Sequence, residues 1–390
     1  MITAIGAAQL VSWGTLFYAI GVLGPSMRAD LGVSEIFLFG AFTAGLLVSG
    51  TLAPLVGRWV DDRGGRLVLS AGSIVASVAL LLLATSTHPV VLVVGWALAG
   101  AAMAACLYDA AFATLSQHAG ARYRVAVTTV TLYGGFASTV FWPLSYLLMQ
   151  AWGWRVTLGI YAGMHLFLCL PVHLCFIPKR FGTTPARGPA AQSAMPADSG
   201  AVRLRWLAAS FVIATFIFSV FAVHLVSLLT TAGLTAAQAV SLSMLVGPMQ
   251  VVGRVAELGF GRHLRAVTVG MASFALLLLS VVSLLVVNGV GIAALVFVAA
   301  YGCGNGLLTI VRGTAPAELF GREGIGGILG YLSRASLYSR ALAPAAFAGM
   351  LAIGLTHDVS LTAFAFLAAA GWIGYGIATR TNPARKGNQA

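Results

Sequence analysis

Charge is what this sequence has least of. Only 8% of its 390 residues are Asp, Glu, Lys or Arg, where soluble domains carry about 25%. Acids number ten, and lysine occurs only at Lys179 and Lys386. A chain this poor in charge cannot cover a water-facing surface, which excludes a soluble globular domain and makes lipid its main solvent. Cysteine is sparse as well. Cys106, Cys169, Cys175 and Cys303 all fall in apolar stretches without metal-ligand spacing, so they read as small buried hydrophobes and no metal site is expected. No ATP motif, metal cluster or nucleophilic triad is present, so the chain reads as a non-enzyme without a cofactor. The first apolar stretch has no basic segment ahead of it and reads as a helix of the mature chain, not a signal peptide.

What is abundant is apolar sequence. Hydrophobic residues make up 59% of the chain and mean hydropathy is +0.95. Since about 20 apolar residues cross the hydrocarbon, the sequence predicts twelve transmembrane helices. They lie at about 4–27, 36–56, 67–87, 90–114, 125–150, 156–177, 206–232, 237–257, 266–287, 290–314, 325–355 and 359–379. The break at 178–205 is rich in Pro, Gly, Ala and Ser and reads as a linker. It divides the chain into a six-helix bundle at 1–177 and a second at 206–390, the latter ending in a short tail.

The net charge of +12 sits in short loops. Arg58, Arg63 and Arg66 follow helix 2, and Arg122 and Arg124 follow helix 4. Five basic residues lie in the linker region, Arg262 and Arg265 follow helix 8, Arg322 follows helix 10, and Arg380, Arg385 and Lys386 end the chain. The opposite loops hold only Arg28 and Arg155. This alternation predicts cytoplasmic termini and a cytoplasmic linker. It also argues against nucleic acid as a partner, because the cations form no patch with interleaved aromatics. An Arg- and Ala-rich, Lys-poor composition points to a bacterial inner membrane, with lipid as surroundings and a monomer as the expected state.

A repeat ties the halves together. Gly57-Arg58-Trp59-Val60-Asp61 precedes Arg66, and Gly253-Arg254-Val255-Ala256-Glu257 precedes Arg262. Each copy lies between the second and third helix of its half, a sign of duplication. The first copy resembles the helix 2–3 loop signature of the major facilitator superfamily, G-x-x-x-D-R-x-G-R-[RK]. Gly57, Asp61, Gly64 and Arg66 match it, while Asp62 and Gly65 depart from it. His224-Leu225-Val226, Gly233 and Gly253-Arg254 are similar to the monocarboxylate and oxalate/formate transporter branches. The resemblance covers the whole chain. It implies an all-α membrane protein in which two pseudo-symmetric six-helix bundles rock around a midplane site, with helices 1, 4, 7 and 10 around the cavity.

The resemblance further implies that Asp61 faces the positive N-terminal end of helix 11, near Gly324–Gly327, with Arg66 as a possible partner. Gly57 and Gly64 would permit the close approach. Such a latch holds one conformation and releases in the other. The second copy, Gly253, Arg254, Glu257 and Arg262, would set Glu257 against the start of helix 5 near Val125. The plain alternative for both is a solvated turn that sets topology.

Ionisable residues within the membrane are costly and mark functional sites by default. Asp109 in helix 4 is the one acid inside an apolar stretch away from a signature; it reads as a proton carrier or as one side of a rim salt bridge. In helix 10, Asn305, Thr309 and Arg312 share one face, and Arg312 falls opposite Asp109 when the halves are aligned, which suggests a cross-half ion pair. In helix 11, Arg340 precedes Pro344 by one turn and lies near mid-membrane; it and Arg334 are candidates for contact with an anion. His224, Ser227 and Thr231 form a stripe on helix 7, where His224 is either a proton relay or a plain interhelical hydrogen bond. His165 and His173 read as packing. Trp13 and Tyr18 are candidates to line the cavity. The sequence thus points to secondary transport of a small solute, led by a small organic anion such as a monocarboxylate, with protons as a possible partner. Efflux of a neutral or hydrophobic toxicant is the runner-up, and a membrane receptor or membrane-embedded enzyme stands as the different class.

Overall fold

The computed structural model describes residues 1–179 and 198–380, so most of the expected linker and the end of the tail lie outside the described residues. Among them the chain is helical, with no strand. Ten segments are long and apolar enough to cross a membrane. One of them, Gly120–Phe176, runs for 57 residues, about twice a single span. It breaks at Gly153, where φ is 76° and ψ 167°. A further helix of 28 residues, Ile325–Ala352, is long enough to span but carries Arg334 and Arg340. Dividing the long segment at Gly153 and including Ile325–Ala352 yields the labels used below. They are α1 (Ile2–Leu31), α2 (Glu35–Arg63), α3 (Gly65–Ala84), α4 (Pro89–His118), α5 (123–152), α6 (154–176), α7 (Asp198–Thr231), α8 (236–259), α9 (Ala266–Leu285), α10 (Ile292–Phe320), α11 (Ile325–Ala352) and α12 (His357–Thr379).

Local sequence sets the helix ends. Ser34 caps α2 by accepting from Phe37 N, and Thr356 does the same for α12 from Val359 N. Thr235 and Gln238 form a reciprocal capping box at the start of α8. α2 runs seven residues past the expected end at 56, through the charged signature to Arg63. A helix that leaves the hydrocarbon has no reason to stop at its last apolar residue; it stops at Gly64, whose φ of 84° suits glycine.

Several helices are discontinuous near mid-span. α1 widens into a π-helical turn over Trp13–Tyr18, and α6 does so over His165–Cys169. The two turns meet where Thr15 Oγ1 and His165 Nε2 lie 2.8 Å apart. α4 breaks at Leu107 (φ −83°, ψ −168°), so a new helical segment starts at Tyr108 with Asp109 in its first turn. The Cys106 carbonyl beside the break accepts from Gln9 Nε2 of α1. Backbone that leaves the helical path at membrane depth needs such side-chain donors.

Two apolar cores form separately. One is built from buried residues between Leu204 and Ala378, the other from residues between Ala8 and Cys169. A third draws on both halves: Val60, Phe112 and Tyr123 join Ile310, Ile325 and Leu329 at the linker end of the helices. Across the halves, α2 packs on α11 more extensively than any other pair of helices.

Candidate functional site

At the linker end the signature loops contact the opposite half. Asp61 at the end of α2 accepts from two backbone amides that open α11, Gly326 N to Oδ1 at 3.0 Å and Gly327 N to Oδ2 at 2.9 Å. These are the orphan donors of a helix N-terminus, where a carboxylate is favoured. The backbones touch: a Cβ on Gly57 would stand 2.0 Å from Gly326 O. Gly64 breaks the helix, and Gln117 of α4 clasps the turn by donating to Val60 O at 2.7 Å. Arg66 sits in the first turn of α3.

The second signature engages α5 by different means. Glu257 Oε1 pairs with Arg124 Nε at 2.6 Å and Oε2 accepts from Thr128 Oγ1 at 2.7 Å. Arg124 also donates to Gly261 O at 2.6 Å and to Leu264 O. Glu257 therefore meets the start of α5 near Val125, through side chains one residue before it and three after. The side chain of Arg262 lies outside the described residues. Tyr123 donating to Gly313 O (2.8 Å) and Arg322 donating to Gly120 O add to the contacts at the same end.

Arg254 departs most from the expectation. It was grouped with the latch, yet its side chain is buried, 4% exposed, and reaches α5 at mid-span. A Cβ on Gly135 would lie 2.0 Å from Arg254 Nη1, and one on Gly134 would lie 2.2 Å from Tyr108 Oη. The glycine pair makes the recess that admits both groups. Arg254 Nε and Nη1 have no hydrogen-bond partner among the described residues, an expensive state for a buried guanidinium. Sequence reasoning missed this role; the Gly134-Gly135 pair inside an apolar helix was the available signal.

Tyr18 lies in the electrostatic field of both Arg254 and Arg340. Around it the N-terminal half supplies an aromatic wall. Trp13 packs on Tyr108 (ring centroids 4.9 Å) and Phe17 (5.2 Å), and Phe17 packs on Tyr18 (5.3 Å). Arg340 faces Phe17 at 6.0 Å from the ring centre. It makes no ion pair among the described residues.

Asp109 and Arg312 line one small recess between the halves, with Phe211, Leu332, Ser333 and Ser336. Ser333 lines the recess beside the Asp109 carboxylate, which feels the charges of Arg312 and Arg340. The expected direct ion pair is not formed among the described residues, because Arg312 Nη2 turns back to Thr215 Oγ1 of α7. Asn305 and Thr309 do lie on the Arg312 face of α10, but Thr309 bonds back to Asn305 O at 2.9 Å. Arg334 is exposed, away from this recess. His224 Nε2 lies 3.1 Å from Pro344 O, an interhelical hydrogen bond, while Ser227 and Thr231 on its stripe are exposed. His165 and His173 are buried against Thr15 and Ser73, the latter at 3.0 Å.

A helical chain of multiple apolar spans, with charged groups collected between two halves, defines a polytopic membrane protein with an internal polar site. A family model of the Major Facilitator Superfamily matches residues 5–344, and the chain belongs to that family; its members are transporters of small-molecule solutes. Solved structures share the fold at low identity. The human organic anion transporter MFSD10 is 14% identical, with a TM-score of 0.73, covering 96% of this chain and 98% of that one. The transporter FucP in its outward conformation is 12% identical with a TM-score of 0.74, covering 97% and 98%. A variant of the E. coli fucose:proton symporter FucP is 14% identical with a TM-score of 0.71 and the same coverage. No curated protein matches the chain in sequence.

Proposed function

We propose that this chain is a twelve-helix secondary transporter of a bacterial inner membrane that moves a small organic anion by rocking two six-helix bundles about a central site. The observation that carries the reading is Arg254, buried with Nε and Nη1 unpartnered among the described residues, together with the half-buried Arg340, which lies over Phe17 and makes no ion pair among them. Buried cations need counter-charge, and a carboxylate substrate supplies it in the planar form that a guanidinium fork accepts. The rings of Trp13, Phe17, Tyr18 and Tyr108 beside them suit a carbon skeleton better than an inorganic ion. A structure with this fold is described as an organic anion transporter; the anion reading rests on the arginines rather than on that likeness.

Asp109 is the proton carrier in this reading. It sits on the half opposite to Arg312 and Arg340, so its surroundings change when the halves move. The signature contacts at the linker end fit a state closed on that side, and in this reading Asp61 and Glu257 act as latches that release on rocking. Both termini face the cytoplasm and the protein works as a monomer.

The test is carboxylate binding by thermal shift, followed by counterflow in proteoliposomes across pH ~5–8, the range in which histidine and shifted carboxyls titrate. Arg340→Lys keeps the charge but loses the fork, and is expected to weaken binding. Arg340→Ala is expected to abolish saturable binding. Asp109→Asn is expected to lose pH-driven accumulation while keeping exchange. Wild-type affinity in Arg340→Ala would overturn the anion reading in favour of a neutral solute, and intact proton-driven uptake in Asp109→Asn would remove the coupling role of that residue.

A further inference from the structure

Arg340 sits four residues before Pro344, and proline has no amide hydrogen to give the Arg340 carbonyl. Inside a membrane that carbonyl needs another donor. It finds one on the neighbouring helix: Ser219 Oγ of α7 donates to Arg340 O at 2.9 Å. The choice is unusual for this helix. Ser210, Thr215 and Thr231 of α7 all donate to carbonyls of their own helix, as hydroxyls within helices commonly do. Two further contacts flank the same stretch. His224 Nε2 reaches Pro344 O at 3.1 Å, with its ring edge-on to Phe347 at 4.9 Å. Ser339 Oγ of α11 returns a bond to Val212 O at 3.0 Å. α7 side chains thus reach the α11 backbone at Arg340 and at Pro344, and the Ser339 side chain of α11 reaches the α7 backbone just before them.

We infer that Ser219 and His224 are positioning residues for the anion site: they hold α11 where Pro344 interrupts its hydrogen-bond ladder and so set the direction in which the Arg340 side chain leaves the helix. This rests on the reading of Arg340 as an anion ligand. His224 acts here as a backbone donor, and in this proposal its part in transport is geometric. Ser219 serves only because Pro344 leaves a carbonyl without its helical donor. The two residues are therefore one device, and each has a defined dependence on the other.

That dependence provides the test. With Pro344 in place, Ser219→Ala is expected to weaken carboxylate binding roughly fivefold, the scale of one net hydrogen bond, and Ser219→Thr is expected to restore it. In a Pro344→Ala background the new amide at 344 donates to Arg340 O, and Ser219→Ala should then have no further effect. His224→Gln, which keeps a donor, should bind more tightly than His224→Leu. A second readout needs no substrate: the rate at which a water-soluble thiol reagent labels Arg340→Cys, followed on that peptide by mass spectrometry. It should change severalfold on Ser219→Ala when residue 344 is proline and stay constant when it is alanine. The positioning role is overturned if Ser219→Ala has the same effect on labelling in both backgrounds. Labelling that depends on Pro344 as expected, in a protein that binds no carboxylate, supports the positioning of α11 and overturns the anion reading instead.

Discussion

The sharpest demand on the proposed site falls on a residue with no side chain. Gly135 of α5 faces Arg254, and a Cβ added there would lie 2.0 Å from Nη1 and 3.1 Å from Cζ. Ordinary contact begins at 3.4 Å, so the guanidinium must retreat by about 1.4 Å. It is the far end of a flexible side chain, so the helices need not part, and the melting temperature should stay near that of the wild type. The site is less tolerant. A hydrogen bond to a charged group contributes about 1.5–3 kcal/mol, roughly 10- to 100-fold in affinity, and a carboxylate fork requires placement within about 0.5 Å. Gly135→Ala is therefore expected to weaken carboxylate binding roughly 10- to 100-fold while every charge in the protein remains. Thermal shift with the carboxylate that best stabilises the wild type, backed by direct titration of intrinsic tryptophan fluorescence, measures it. Gly159→Ala is the control, since a Cβ there meets nothing within 4 Å. In an Arg254→Ala background the Gly135 substitution should add little, because the group it displaces is gone. Wild-type affinity in Gly135→Ala would refute the placement of Arg254 in the binding site.

Asp61→Asn leaves one carboxamide oxygen where two carboxylate oxygens now accept from Gly326 and Gly327, so the linker end should open more often; each charge-assisted bond contributes about 1.5–3 kcal/mol. Spin-label distances between the linker ends of α2 and α11 would read the shift, and an unchanged distribution argues against a latch. The terminus orientation has its own check: a fluorescent protein fused to the C terminus should be bright and an alkaline phosphatase fusion inactive, because the basic loops mark the cytoplasmic side.

The spans were legible because a run of about 20 apolar residues is a strong signal, and the structure departs from that reading where the cause is tertiary. The π-helical turns at Trp13–Tyr18 and His165–Cys169 contain no proline, and their partner contact, Thr15 with His165, bridges 150 residues. The break at Leu107 has neither glycine nor proline at it, and the carbonyl beside it is satisfied by Gln9, 97 residues away. Sequence-local rules have no access to such partners. Asp61 was legible in part: an acid and two glycines at a helix end carry a local rationale, while the partner, the start of α11, came only from the family resemblance.

Arg254 shows why the repeat misled. Its counterpart Arg58 is exposed, while Arg254 is buried, although both follow the same glycine in the same motif. The difference is made by the helix each one faces. α5 offers Gly134-Gly135 as a recess; if Pro143 and Pro344 correspond, α11 has Ala335-Ser336 at that place, and both of those carry a Cβ. A duplicated motif keeps its backbone role while its side chains answer to a partner helix that has diverged. The outcome is a division of labour between the halves. Arg254, Arg312 and Arg340 all belong to the C-terminal half, and the aromatic wall and Asp109 belong to the N-terminal half. Rocking, in this reading, would move the three cations as a group relative to the acid and the rings. On the proposed reading, what the motion modulates is the field at Asp109 and the fit of a ring-backed carboxylate against the arginines. The ionised Asp109 carboxylate and a bound anion thus become alternative ways of balancing the same charge, so that protonation of Asp109 favours an anion on the arginines, which is the form of coupling that one acid and three guanidinium groups can support.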